Sequence, residues 1–463
     1  MSLRLPAHPA IALGLLALTG LLAESVVAVG PPALVFSPRL AAFLVVGTLV
    51  AVVALANDPA WSFSAGLAAS MFSGRWAELG MPLAVDRILL ALGVAGLLLR
   101  LPIQRPALPR VRIVHLAIAA TALFAVISAH VSGSLSDSAG SFALLDRLGL
   151  VPFVSFLLAP VVFDTARRRA ILLGVLAACG AYLGVTAVAE GIGARALVWP
   201  RYILDPNVGI HPDRARGPFV EAGEFGLALW SCAVVALVHV ARPARPWLRV
   251  AGAIVAALCV VGLVFTLTRA VWVAAATSAL VTLVAARELR RFVIPAVICC
   301  ALLVAGVLAT VPDLSHKIHE REQTQTSVWD RLNSNAAAVR MLEAKPLAGF
   351  GWNRFRQDSP PYYRIAAAYP LTSVGVVHNV YLSNLAELGI IGATLWFVAL
   401  VVALGAPLVR PPPPELRLWR IGLLAIAVMW LVTANFAPLA AVFPNLLLWT
   451  WAGVLWARPV REL

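Results

Sequence analysis

The chain alternates long apolar runs with short polar breaks over nearly its whole length. A helix that crosses a bilayer needs about 20 mostly apolar residues. Such runs cover 9–30, 39–56, 85–99, 112–131, 144–163, 170–190, 222–241, 250–267, 270–286, 292–311, 379–404, 419–437 and 442–457. A shorter run, 59–73 ("PAWSFSAGLAASMFS"), reads as a further short span or a re-entrant piece. The first run continues past Ala23 without a small-x-small cleavage site, so it reads as an uncleaved span. The pattern predicts an all-α polytopic membrane protein, one integral domain with a bundle of about 12–14 helices. It comprises N-terminal membrane helices (1–190), a first outer loop (191–221), membrane helices (222–311), a large helical outer loop (312–378) and C-terminal membrane helices (379–463).

The polar breaks set the topology. Six are arginine-rich: "RLPIQRPALPRVR" (100–112), "RRR" (167–169), "RPARPWLR" (242–249), "RELRR" (287–291), "RPPPPELRLWR" (410–420) and the tail "ARPVREL". The positive-inside rule puts all six in the cytoplasm. Counting 59–73 as a span keeps the alternation with the N-terminus inside. Loops 191–221 and 312–378, and the short link "LTR" at 267–269, then share the outer face. Within 312–378, "SVWDRLNSNAAAVRMLEAKP" predicts a helix with Val328, Leu332, Ala336, Val339 and Leu342 on one apolar face, ended by Pro346. "PLAGFGWNRF" follows, where Gly349 and Gly351 allow a tight return.

Composition sharpens this. Only 13% of the 463 residues are charged, against about a quarter in soluble domains, and the mean hydropathy is +0.89. The net charge of +14 does not imply nucleic acid, because it sits in arginine clusters of the kind cytoplasmic loops carry. Cys179, Cys232, Cys259, Cys299 and Cys300 lie inside apolar runs and read as small buried hydrophobes.

A few residues carry chemistry into this apolar setting. Arg269 stands between two spans with almost no loop, and Arg214 and Arg216 precede another, with Glu221 and Glu224 at its start. Arginines flank helices for mundane reasons, including snorkelling to the interface. Arginines converging on the outer face also suit a diphosphate, because the guanidinium fork donates paired hydrogen bonds. His378 stands at the head of "HNVYLSNLAELGIIG". The partial positive charge of a helix N-terminus disfavours imidazolium there, leaving a neutral base. Tyr381, Leu382 and Leu385 share its face. Glu387 is nine positions on, about half a turn away in angle, which points it to another span, an arginine being the natural partner. Arg331 and Arg340, also nine apart, cannot both face one site. His316 and His319 form an H-x-x-H without a third ligand at regular spacing, and no Asp-x-Asp is present. No metal or cofactor is implied.

"RARGPFVEAGEFG", "LTRAVWVA", "RLNSNAAAVRMLEAKPLAGFGWNRF" and "HNVYLSNLAELGIIG" occur in an order and spacing that resembles the O-antigen ligase and polymerase superfamily, over roughly residues 200–400. The resemblance implies a GT-C-like membrane glycosyltransferase in the bacterial inner membrane, its site facing the periplasm. It would move a glycan from an undecaprenyl-diphosphate carrier to a hydroxyl on a lipid- or glycan-bearing acceptor, without metal and with inversion. It assigns the diphosphate to Arg216 and Arg269 and the base to His378. Arg214, Arg331, Arg340 and Tyr381 become substrate-binding candidates, and Glu221 and Glu387 structural supports. A polymerase or a protein-glycosylating ligase shares this core, and a transporter is the reading from another class. A transporter predicts related halves and broken helices.

Overall fold

A backbone amide in hydrocarbon finds no water, and a helix satisfies its own N–H and C=O groups. The computed structural model describes residues 47–48, 51–53, 55–81, 83–104, 111–242, 245–310, 326–364 and 376–456. Every regular element among them is helical. The expected spans 9–30 and most of 39–56, the His316–His319 pair and the basic tail lie outside the described residues. The helices are α1 (Pro59–Ala69), α2 (Val85–Gln104), α3 (Ile113–Val131), α4 (Ser138–Val162), α5 (Ala166–Gly191), α6 (Ala222–Ala241), α7 (Pro246–Phe265), α8 (Arg269–Ala285), α9 (Val293–Thr310), α10 (Thr326–Ala344), α11 (Val380–Val409), α12 (Arg417–Thr433) and α13 (Val442–Val454). Seven described segments are long and apolar enough to cross a membrane, and α8 and α13 are shorter apolar helices. The protein is an all-α polytopic membrane protein. Helix α1 has 11 residues, about 16 Å, against a hydrocarbon core of about 30 Å. That length suits the re-entrant alternative for 59–73.

Side chains close the helix starts. Asp58 accepts from Ala60 N at 3.0 Å, Thr165 from Arg168 N at 3.3 Å and Asn379 from Leu382 N at 3.0 Å. Each satisfies an amide the helix itself leaves orphaned. The tightest neighbours are α6 with α7, α5 with α7, α1 with α2, α4 with α13, α8 with α12 and α3 with α11. Helix α13 is buried along its whole length, with Trp449 4.7 Å from Phe153 and Trp451 4.1 Å from Trp419 between ring centroids. Protein surrounds it, so its 13 residues need not match the bilayer. Cys179, Cys232 and Cys259 are buried and free.

Two features depart from the sequence reading. Helix α11 is not one continuous rod: Gly389 (φ 64°, ψ −173°) breaks it. The segment 346–351 inserts its backbone there. Phe350 N and Gly351 N donate to the carbonyls of Ala386 and Glu387 at 3.1 and 2.9 Å, while Ile390 N and Ile391 N donate to those of Pro346 and Leu347 at 2.8 and 3.2 Å. The groups released by the break are thus satisfied by the loop. The second departure concerns α10. Its predicted apolar face is not the packed one: Val328, Leu332 and Val339 are exposed, whereas Ser334, Ala337, Ala338 and Met341 are buried. Small residues let α10 approach Ala386, Val377 and Phe355 closely, and beside a membrane an apolar stripe need not face the protein core.

The two ends of the bundle differ. At one end, Val380 N donates to Ala434 O at 2.8 Å and Ala215 N to Phe265 O at 3.0 Å, and Glu190 accepts from Gly217 N at 2.9 Å. At the other, Arg168 pairs with Asp58 and Asp164 at 2.8 and 3.0 Å, and Arg169, Arg242 and Glu415 gather within electrostatic reach.

Candidate functional site

The loop between α5 and α6 is organised around Arg216, which is 1% exposed. Its Nε and Nη2 donate to Ile203 O at 3.2 and 2.9 Å, its Nη1 to Val208 O at 2.6 Å, and Nη2 also reaches Asp205 O. Its amide and that of Gly217 donate to the two carboxylate oxygens of Glu190 at 3.3 and 2.9 Å. Four of the five guanidinium donors are engaged by the loop's own carbonyls. Burial holds the guanidinium below its usual range, with Glu190 and Asp205 opposing.

Two residues earlier, Arg214 takes a different partner. Its Nη1 lies 3.5 Å from Thr268 Oγ1, at the head of α8. Thr268 is held by its own hydroxyl donating to Thr266 O at 2.9 Å, and Leu267 takes a left-handed conformation (φ 48°). This compressed link places Arg269 at the first position of α8, exposed to its surroundings. A cation at a helix N-terminus gains nothing from the helix dipole, but the pair together attracts an anion.

Glu221 caps α6, accepting from Gly223 N and Glu224 N at 3.1 and 2.6 Å. Burial raises its carboxyl above the usual range, opposed by the two amides and then by Arg214 and Arg331. Arg331, on α10, therefore reaches the same place. Burial and the charge of Arg269 lower it, and Glu221 raises it. His378, half-buried just ahead of the Asn379 cap, completes the group. Its imidazole is held below the usual histidine range by burial first and by Arg331 second, with Asp330 opposing. Arg214, Arg269, Arg331, Glu221, Asp330 and His378 thus converge from four elements at one end of the bundle.

Other candidates stand elsewhere. Arg340 Nη1 donates to Tyr362 O at 2.8 Å, tying α10 to the following turn. Tyr381 donates its hydroxyl to Leu431 O at 3.1 Å and packs 6.1 Å from Trp396, between α11 and α12. Glu387 is 1% exposed and ion-paired with Arg147. It also accepts from Asn353 N at 3.2 Å and Phe355 N at 3.3 Å, and the Arg147 guanidinium lies 4.4 Å from the centre of the Trp352 ring.

Sequence reasoning missed Arg147 and Glu190. Each had a signal: "LLDRLGL" puts an arginine at the head of a span, and "VAEGIG" puts an acid at the end of one. Their partners are 240 and 26–27 residues away, so no local pattern pairs them.

Residues 254–397 match a family model described as O-antigen ligase. The matched stretch contains Arg269, Arg331 and His378, and it supports placing the chain in the O-antigen ligase superfamily. Arg214, Arg216 and Glu221 precede it. No curated protein matches the chain.

Proposed function

We propose that this chain, whose 254–397 segment matches a family model described as O-antigen ligase, transfers a glycan from an undecaprenyl-diphosphate carrier to an acceptor hydroxyl. The observation that carries the reading is a linked group of charges: Arg214 and Arg331 both act on Glu221, Arg269 acts on Arg331, and Arg331 acts on the half-buried His378, whose imidazole is held below the usual histidine range. Neutral His378 accepts the acceptor's hydroxyl proton as the acceptor oxygen bonds to the anomeric carbon. The bond from that carbon to the diphosphate breaks, and the electron pair leaves with the phosphate. Attack from the face opposite the leaving group inverts the centre. The arginines, held in place before the reaction, neutralise the charge that grows on the diphosphate. With three guanidiniums present, the mechanism needs no metal.

Arg216 enters this proposal differently from its first assignment. Its guanidinium holds the loop that presents Arg214, so Arg214 replaces it as the diphosphate contact. The excess of arginine at the opposite end, by the positive-inside rule, orients the site to the outer face of the bacterial inner membrane. The broken helix α11 does not revive transport. An ion pathway would need the freed carbonyls of Ala386 and Glu387, and the loop already occupies them.

The test is transfer by purified protein in proteoliposomes, from a glycan-bearing undecaprenyl diphosphate to an acceptor in the presence of EDTA. The expected rate equals that without chelator, and His378→Ala lowers kcat by about 10²–10⁴-fold. Chelation that abolishes transfer, with rescue by added metal, would overturn the metal-free mechanism. A wild-type rate in His378→Ala would overturn the base assignment.

A further inference from the structure

A cavity of about 290 Å³ opens beside the arginine cluster, and Glu190, Arg195, Asp213, Arg214, Phe265 and Leu267 are among its lining. Pockets for drug-sized ligands run to about 300–1,000 Å³, so this one suits a single small ring rather than an extended chain. Its chemistry is mixed in a particular way. Two carboxylates accept hydrogen bonds, two guanidiniums donate them, and a phenyl ring and a leucine offer apolar surface. A sugar ring asks for this combination, with hydroxyls that donate and accept around its edge and C–H groups on its faces.

The walls are fixed before any ligand arrives. Arg216 binds the carbonyls of Ile203, Asp205 and Val208 together, and Ala215 N donates to Phe265 O at 3.0 Å. Glu190 takes one amide on each oxygen, and a carboxylate has about four lone-pair sites, so each oxygen keeps capacity for a ligand hydroxyl. A preformed wall lowers the ordering cost of binding. Arg214 belongs both to this cavity and to the approach to Thr268 and Arg269, so a ring seated here lies next to the diphosphate position.

We infer that the cavity is a subsite for one sugar ring, the carrier-proximal ring of the donor. This rests on the transfer reading above and deepens it. Arg195 and Asp213 then determine which ring is accepted, and neither handles the diphosphate. Both are exposed, so the double variant Asp213→Asn/Arg195→Gln should leave the fold intact.

Equilibrium binding to the full chain in nanodiscs tests this with three probes: undecaprenyl diphosphate, the same carrier bearing one hexose, and a carrier-free hexose oligosaccharide as acceptor mimic. The expected result is that the double variant binds the hexose-bearing carrier at least about tenfold more weakly and bare undecaprenyl diphosphate as tightly as wild type. Loss confined to the carrier-free oligosaccharide would overturn the donor assignment and give the cavity to the acceptor's ring. Equal binding of all three probes by both proteins would overturn the sugar subsite altogether. A wild-type protein that fails to transfer would sink the transferase reading while leaving these affinities readable.

Discussion

At the scale of single residues, His378 and Arg331 act as a pair. Arg331's charge disfavours the imidazolium, and burial does so more strongly. The neutral imidazole therefore persists to lower pH than in an ordinary histidine, whose pKa is about 6.5. For the proposed transfer, with His378 as base, the acid limb of kcat/KM reports that group in the free protein and is expected below that value. Arg331→Gln removes a charge that lowers the pKa, so the limb moves up. Asp330→Asn removes one that raises it, so the limb moves down. Limbs that stay put, or move together, would show that His378 is not the group titrating. His378 and Arg269 were legible in the sequence because each stands where an apolar run meets a polar break. The different partners of Arg214 and Arg216 were not. Two residues apart in one loop, they differ because the carbonyls of Ile203, Asp205 and Val208 claim the Arg216 guanidinium and Glu190 its amide, contacts that no helical or strand periodicity marks.

At the scale of elements, the break in α11 is the feature the hydropathy pattern could not show. A glycine inside an apolar run looks like any small residue, and the signal lies in its partner, Gly349. A Cβ on Gly349 would lie 2.5 Å from the Glu387 carbonyl carbon and oxygen, at φ +70°. Gly349→Ala must therefore push the inserted loop out of α11, at a cost of about 2–4 kcal/mol from overpacking and left-handed strain. Gly405, also on α11, has nothing within 4 Å of its virtual Cβ, and Gly405→Ala should be neutral or slightly stabilising, since alanine is the better helix former. Thermal melting in one detergent compares the two directly. Equal melting temperatures would mean the loop is not locked into the helix. The α10 face was misread for a related reason. Periodicity locates an apolar stripe but does not say whether protein or lipid covers it, and α10 packs through its alanines instead.

At the scale of the whole molecule, the matched segment 254–397 does not stand alone. The buried carboxylate of Glu387 is balanced by Arg147, from the N-terminal half of the chain, and Arg147 is in turn stacked on Trp352. The inserted loop, the head of α11 and α4 are therefore coupled through one buried charge pair. Hydropathy gave the order of the helices, but this coupling joins positions 240 residues apart and leaves no mark on either local pattern. Breaking a buried pair by removing one partner costs about 3–5 kcal/mol, because the other charge is stranded, whereas removing both can approach neutrality. Arg147→Met and Glu387→Gln should each destabilise the protein by about that much, and each should lower kcat of the proposed transfer, since His378 stands just ahead of α11. The double variant should cost less than the sum of the two by about 2 kcal/mol or more, a coupling in the range of directly contacting residues. Unfolding in a mixed-micelle denaturant series, run on all four members of the cycle, measures it. Strict additivity would mean that Arg147 and Glu387 act separately, and that the N-terminal half supports the site only by packing.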